Sequence, residues 1–341
     1  MLISIFTLSG LLLARAGPSP QVPDLSASGP LTAQTIEFPD LTDPSRARKV
    51  PIKVHLPEGA GPFPVVILSH GAGGHWDANF AQAHHLATHG YVVLAVEHVG
   101  SNTEVLTRSL RLQGNLRAMT RDAGEVLGRP KDISFAIDQA EKWNKTYARL
   151  VGKLDLKHVG VLGHSFGAFT VMVVAGMRPA LNWLSPPVAP GQGLGPDLRD
   201  PRVVCGVALS PQGPGEPFFI EASYASLRTP LLGITGSRDE QQEARPENRR
   251  RAWELWPPGE KYLVWLANAD HTAFSDSTGA AARRMLKSNS RDDAQPLVRA
   301  ATLLFFDACL KGHGAARSRI TVAGLKPYLR GVVDDVEVMS K

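Results

Sequence analysis

Cysteine is nearly missing from this chain: Cys205 and Cys309 are the only two in 341 residues. So few exclude a disulfide-built scaffold, and no His/Cys spacing of the metal-ligand kind occurs. Cys205 lies in the apolar run 203–207 and Cys309 on the apolar face of a late helical segment. Both read as buried free thiols, although an oxidising compartment would permit a bridge. Long hydrophobic runs are also missing. Beyond the first residues nothing approaches the roughly 18 uninterrupted apolar residues that a membrane span requires, so no stable membrane insertion is expected. Strong charge of one sign is lacking too. The formal charge is +5, but Lys and Arg are scattered, and the one tight cluster is Arg249-Arg250-Arg251. That cluster is read as a solvated helix face. Without a zinc-finger or aromatic–basic motif, nucleic acid is not an expected partner.

What remains is ordinary globular composition, 43% hydrophobic and 20% charged, long enough for one large core. Residues 1–13 are apolar apart from Ser4, Thr7 and Ser9, and run into Ala14-Arg15-Ala16-Gly17, a small-x-small pattern. Residues 1–16 are therefore expected to be a signal peptide cleaved after Ala16, giving a secreted or periplasmic protein. Residues 17–30, with Pro18, Pro20, Pro23 and Pro30, read as a flexible leader. From residue 31 to 341 strand and helix signals alternate without a linker, which predicts one α/β domain, a mostly parallel sheet with helices on both faces. The expected strands lie at 49–56, 65–68, 91–96, 159–162, 203–209, 231–234 and 262–266. The expected helices lie at 79–88, 130–143, 166–176 and 299–310. Residues 99–129 give no clear pattern.

The chemistry centres on Gly163-His164-Ser165-Phe166-Gly167, a G-x-S-x-G sequence that leaves a strand and opens a helix. A strand-to-helix turn this sharp needs small residues two before and two after the serine, and Gly163 and Gly167 supply them. It also aims the helix N-terminus at the site, where free N–H groups favour developing negative charge. A serine hydroxyl is a weak nucleophile and needs a base. After such an elbow the acid and then the histidine follow in chain order. Of eleven histidines, only His271 and His313 follow Ser165. His313 sits past a helix end, whereas His271 is in the loop leaving strand 262–266, where the base belongs. The acid should leave the preceding strand, and Asp239 does, with Glu240 as nearest rival. Asp270 adjoins His271 and is expected to shape its loop. Oxyanion donors are expected from the backbone N–H of Phe166 and of Ala72, the latter in His70-Gly71-Ala72-Gly73-Gly74 after strand 65–68. His84, His85 and His89 share a helix without a metal-binding pattern. Pro217-Phe218-Phe219-Ile220 and Trp76 could line an acyl pocket or simply pack. Neither a metal nor a cofactor is expected.

Over approximately residues 50–275 the chain resembles a group of α/β-hydrolases: the platelet-activating factor acetylhydrolases, dienelactone-hydrolase-like proteins and cutinase-like polyester hydrolases. The likeness rests on His70-Gly71-Ala72-Gly73, Ala87-Thr88-His89-Gly90-Tyr91-Val92-Val93, Ala95-Val96-Glu97-His98 and Gly163-His164-Ser165-Phe166-Gly167. It implies the α/β-hydrolase fold, a Ser–Asp–His triad without metal, and hydrolysis of short acyl esters. Ser165 stands where dienelactone hydrolases carry cysteine. His164 and Phe166 stand where the polyester hydrolases usually carry Trp and Met. The acetylhydrolases tend to have glycine at position 168, where this chain has Ala168.

The expected function is that of a serine carboxylic-ester hydrolase, on small-molecule, lipid or polymer esters with short-to-medium acyl groups. A lipid acetylhydrolase and a polyester hydrolase are its variants, and an amidase or peptidase would share the triad. A catalytically silent binding protein on the same fold is the non-enzyme alternative. The connection between strands 203–209 and 231–234 is short, which predicts no large lid there and an open site.

Overall fold

The computed structural model describes residues 24–276 and 288–341. Nine strands form one sheet: β1 Ala33–Phe38, β2 Ile52–Pro57, β3 Phe63–Ser69, β4 Val92–Val96, β5 Leu154–His164, β6 Val203–Leu209, β7 Leu231–Arg238, β8 Lys261–Asp270 and β9 Val336–Ser340. Their spatial order is β1-β2-β4-β3-β5-β6-β7-β8-β9. The strands from β4 to β8 in that order are parallel, while β1, β2 and β9 add antiparallel edges.

The apolar runs in the sequence are strands buried on both faces. Successive side chains of a strand point to opposite sides. Val65, Ile67, Val92, Leu94 and Val96 accordingly enter one core, and Val66, Leu68, Val93 and Ala95 enter the other. The first core is closed by helix α2, Ala123–Thr146, and helix α3, Phe166–Val174. The second is closed by α1, Phe80–Thr88, and by a helix at Arg291–Leu310. Helix α4, Pro246–Leu255, lies between β7 and β8, and Arg291–Leu310 is α5.

Helix α2 starts seven residues before Pro130, at Ala123, because the Asp122 side chain caps it by accepting from the Glu125 N–H. Pro130 is carried inside it. The expected core positions Ile133, Phe135, Ile137 and Ala140 are all buried. Of the proline-rich leader, residues 24–30 are described, and they are tied to the body. The Gly29 N–H donates to Thr88 Oγ1 at 2.8 Å, and His85 Nε2 bonds the Leu25 carbonyl at 2.9 Å. The candidate signal peptide, residues 1–16, lies outside the described residues. Cys205 is buried, Cys309 partly so, and both are free. The C-terminal segment packs on the second core through Leu325, Tyr328, Val333 and Val336 before β9 pairs with β8. Among the described residues no helix is long and apolar enough to cross a membrane.

Candidate active site

The parallel strands β3, β5, β7 and β8 each deliver one part of the site at their C-terminal ends. Ser165 follows β5 directly and is the N-cap residue of α3, with φ 57° and ψ −115°. A non-glycine residue rarely adopts that backbone. It is held there by surroundings that leave no room for larger neighbours. A Cβ on Gly167 would collide with the Ser69 carbonyl, and one on Gly163 with the Gly167 backbone.

Ser165 Oγ lies 3.0 Å from His271 Nε2, and His271 Nδ1 lies 2.7 Å from Asp239 Oδ1. Asp239 is fully buried and His271 is 8% exposed. Thr235 donates its hydroxyl to the other Asp239 oxygen at 2.7 Å. Burial alone would raise the Asp239 carboxyl, but Arg249 and His271 beside it hold it well below the usual carboxylate range. The ionised acceptor places the His271 proton on Nδ1, leaving Nε2 free to accept from the serine. Glu240 is exposed, with Arg245 at 3.4 Å, and His313 is exposed at the start of a short helix. Asp270 takes the Thr272 N–H and the hydroxyls of Ser288 and Ser290, shaping the loop as its position implies.

The loop after β3 passes beside the elbow: a Cβ on Gly71 would stand 3.4 Å from that of Ser165. Ala72 and Phe166 both line the cavity over Ser165. Phe166 opens α3, where an N–H has no intrahelical acceptor.

A family model described as an alpha/beta hydrolase family matches residues 65–332. The chain belongs to the alpha/beta hydrolase family. Among curated relatives it is similar to the platelet-activating factor acetylhydrolases of Cavia porcellus, Canis lupus familiaris and Bos taurus, at 26%, 23% and 24% identity. The alignments cover 77%, 63% and 65% of this chain. They span 61%, 49% and 50% of those relatives, so the chain matches roughly half of their length.

The site of this family member opens into a cavity of about 670 Å³. The short β6–β7 connection holds one short helical turn, Glu221–Tyr224, and no large lid. Cover comes from the unassigned stretch after β4, which folds into two short helices, Thr103–Leu106 and Leu112–Met119. Leu106, Leu112 and Leu116 from this cap face the cavity, and Pro217, Phe218 and Phe166 complete its apolar wall. Phe219 is instead core, packed on Phe169 and Tyr224. Trp76 packs against the second core. The cap is bonded to the loop after β3: the Gly73 N–H donates to the Ser101 carbonyl and the Thr103 N–H to that of Gly74, both at 2.8 Å.

Three features escape sequence reasoning. His164 is buried inside the elbow, and its Nε2 donates to the His271 carbonyl at 2.9 Å, tying the His271 loop to the elbow. Burial keeps it neutral, its pKa pulled down to about 3. Beneath the loop after β3, Asp132 accepts from His98 Nδ1 at 2.8 Å, and His98 Nε2 accepts from the Ser69 hydroxyl at 2.9 Å. Arg129 donates to Ser69, Ser101 and the His70 carbonyl, holding that loop from below. The third corrects the reading of the arginine cluster. Arg250 and Arg251 are solvated, but Arg249 is 1% exposed and turned inward onto Asp239. The i, i+1, i+2 spacing of three arginines on a helix forces their directions apart by about 100° each. That spread allows one of the three to face inward without saying that one does.

Proposed function

We propose that the chain is a serine carboxylic-ester hydrolase working through an acyl-enzyme. The observation that carries the reading is the unbroken line Asp239–His271–Ser165, with contacts of 2.7 and 3.0 Å. Ser165 Oγ attacks the ester carbonyl carbon as its proton passes to His271 Nε2. The oxyanion is received by the Ala72 and Phe166 N–H groups, preorganised donors of the kind worth about 10²–10³ in rate each. Asp239 stabilises the imidazolium. The leaving alkoxide takes the proton from Nε2, and water repeats the sequence on the acyl group, returning the serine.

The apolar wall of Leu106, Leu112, Leu116 and Phe218 favours short-to-medium acyl esters of lipophilic character. A lipid acetylhydrolase is the second reading, favoured by the activity for which the relatives are named and by the same wall. The N-terminal run ending at Ala14-Arg15-Ala16 supports export. The test is hydrolysis of p-nitrophenyl acetate, butyrate and octanoate by the wild type, Ser165→Ala and His271→Ala. Loss of about 10³-fold or more in both folded variants is expected. Equal rates in all three proteins would hand the site to the silent-binder alternative.

A further inference from the structure

Arg249 reaches from the first turns of α4 into the buried side of the triad. Its Nε lies 2.9 Å from the Asp239 carbonyl oxygen and 2.9 Å from Asp239 Oδ1. Nη1 donates to the carbonyls of Ser210, at 3.1 Å, and Pro211, at 3.2 Å. Nη2 stands 3.3 Å from His271 Nδ1. One guanidinium thus grips the loops after β6 and β7 and sits against both acid and base. A lone carboxylate behind a histidine attracts a proton onto the imidazole, which removes the base as the pH falls. A cation fixed at the same carboxylate opposes that attraction.

Resting on the esterase reading above, we propose that Arg249 is a positioning residue for the base. Its buried guanidinium keeps Asp239 ionised and offsets the pull of Asp239 on a His271 proton, so the enzyme stays active to lower pH than an uncompensated triad would.

Among the described residues, no other charge facing His271 does this. From β5, His164 is tilted against it with ring centroids 4.9 Å apart, and burial holds His164 neutral. From the start of α5, Arg291 is engaged with the Thr272 carbonyl at 3.0 Å. On the same loop, the Asp270 carboxylate is bound by Thr272, Ser288 and Ser290. Asp239 and Arg249 are the charged groups in contact with the ring nitrogen.

The experiment is the pH dependence of kcat/KM for p-nitrophenyl butyrate in the wild type, Arg249→Gln, Arg249→Met and Arg249→Lys, beside Ser165→Ala. In the Gln and Met variants the acid limb is expected to move up by about one pH unit. That is roughly a tenfold loss on the acid side of the limb, with KM within about twofold of wild type. Arg249→Lys keeps a cation and is expected to keep the limb within about 0.3 unit. Both substitutions leave the Asp239 carboxylate buried without its cation, which destabilises the fold, so each variant is assayed below its own melting temperature, methionine serving where glutamine does not fold. A purely structural clamp would lower kcat equally at every pH with the limb unmoved, and that result overturns the proposal. A full-unit displacement in the Lys variant overturns it as well. Retained activity in Ser165→Ala would instead defeat the esterase reading, whatever the arginine variants do.

Discussion

Ser165 owes its exposed hydroxyl to a backbone conformation that the serine itself disfavours, and the residues below it hold that strain in place. Arg129 is central among them. It is buried and donates to Ser69 Oγ, Ser101 Oγ, Thr170 Oγ1 and the His70 carbonyl. It thereby fixes the loop that carries Ala72. Arg129→Met is expected to lower kcat toward p-nitrophenyl butyrate by about tenfold or more, with KM changed less than about twofold, because a misplaced oxyanion donor acts in the transition state alone. Steady-state kinetics on the folded variant check this, and an unchanged kcat would separate the loop from the chemistry. At this scale the elbow serine and the later histidine were legible, since the motif and the chain order leave little choice. His98, Asp132 and Arg129 were not. Their meaning lies in contacts between residues 28 to 60 positions apart in the chain, which no local pattern announces.

Among the elements, the elbow and the cap define the site, and they differ in how plainly the sequence writes them. The elbow is local: Gly163 and Gly167 flank Ser165 because a side chain at either would meet backbone. Gly167→Ala is expected to abolish activity and lower thermal stability by more than a surface substitution does, since a fixed carbonyl, unlike a flexible side chain, cannot yield. A variant with wild-type melting and turnover would contradict that packing. The cap is harder to read. A helix of four residues, Thr103–Leu106, is too short to display a 3.6-residue period, and Leu112–Met119, though Leu112, Leu116 and Met119 stand at i, i+4 and i+7, is only about two turns long. Leu106 and Leu116 nonetheless face the cavity, and Leu106 presses on Gly73 in the loop after β3. Leu116→Ala should enlarge the cavity and raise the octanoate-to-acetate ratio of kcat/KM by several-fold. No change in that ratio would mean that the acyl group lies elsewhere.

Across the whole molecule, the alternation of strand and helix was readable because each apolar run feeds both cores. The antiparallel edges β1 and β9 were not, being short and half exposed. A consequence of this double core is a set of histidines buried neutral. Desolvation lowers the pKa of His55 to about 4 and of His85 to about 3, as it does for His164, and it pulls His70 and His98 well down. Each folded pKa lies below the unfolded value of about 6.5. The unfolded chain therefore takes up protons first as the pH falls. The stability is whole above about 6.5 and is lost progressively toward the folded values. Asp276 opposes this: burial raises its carboxyl to about 7, so its contribution is lost as the pH rises from about 4 through 7. Burial raises the Asp132 carboxyl as well, and several histidines against these two carboxyls leave a net excess of protons on the unfolded chain. The melting temperature is expected to drop by about 5 °C or more between pH 7 and pH 5. Calorimetry reads this directly, and a flat profile would mean that these histidines are charged when folded.

Whether Ser165 is a nucleophile activated by His271 is read most directly by covalent trapping. Folded wild-type protein, Ser165→Ala and His271→Ala are incubated with a fluorophosphonate, digested, and the adduct is located by peptide mass spectrometry. One adduct per chain on Ser165 is expected in the wild type, none in Ser165→Ala, and labelling slowed by about 10³-fold in His271→Ala. An adduct on another residue, or equal labelling with and without His271, would contradict that role.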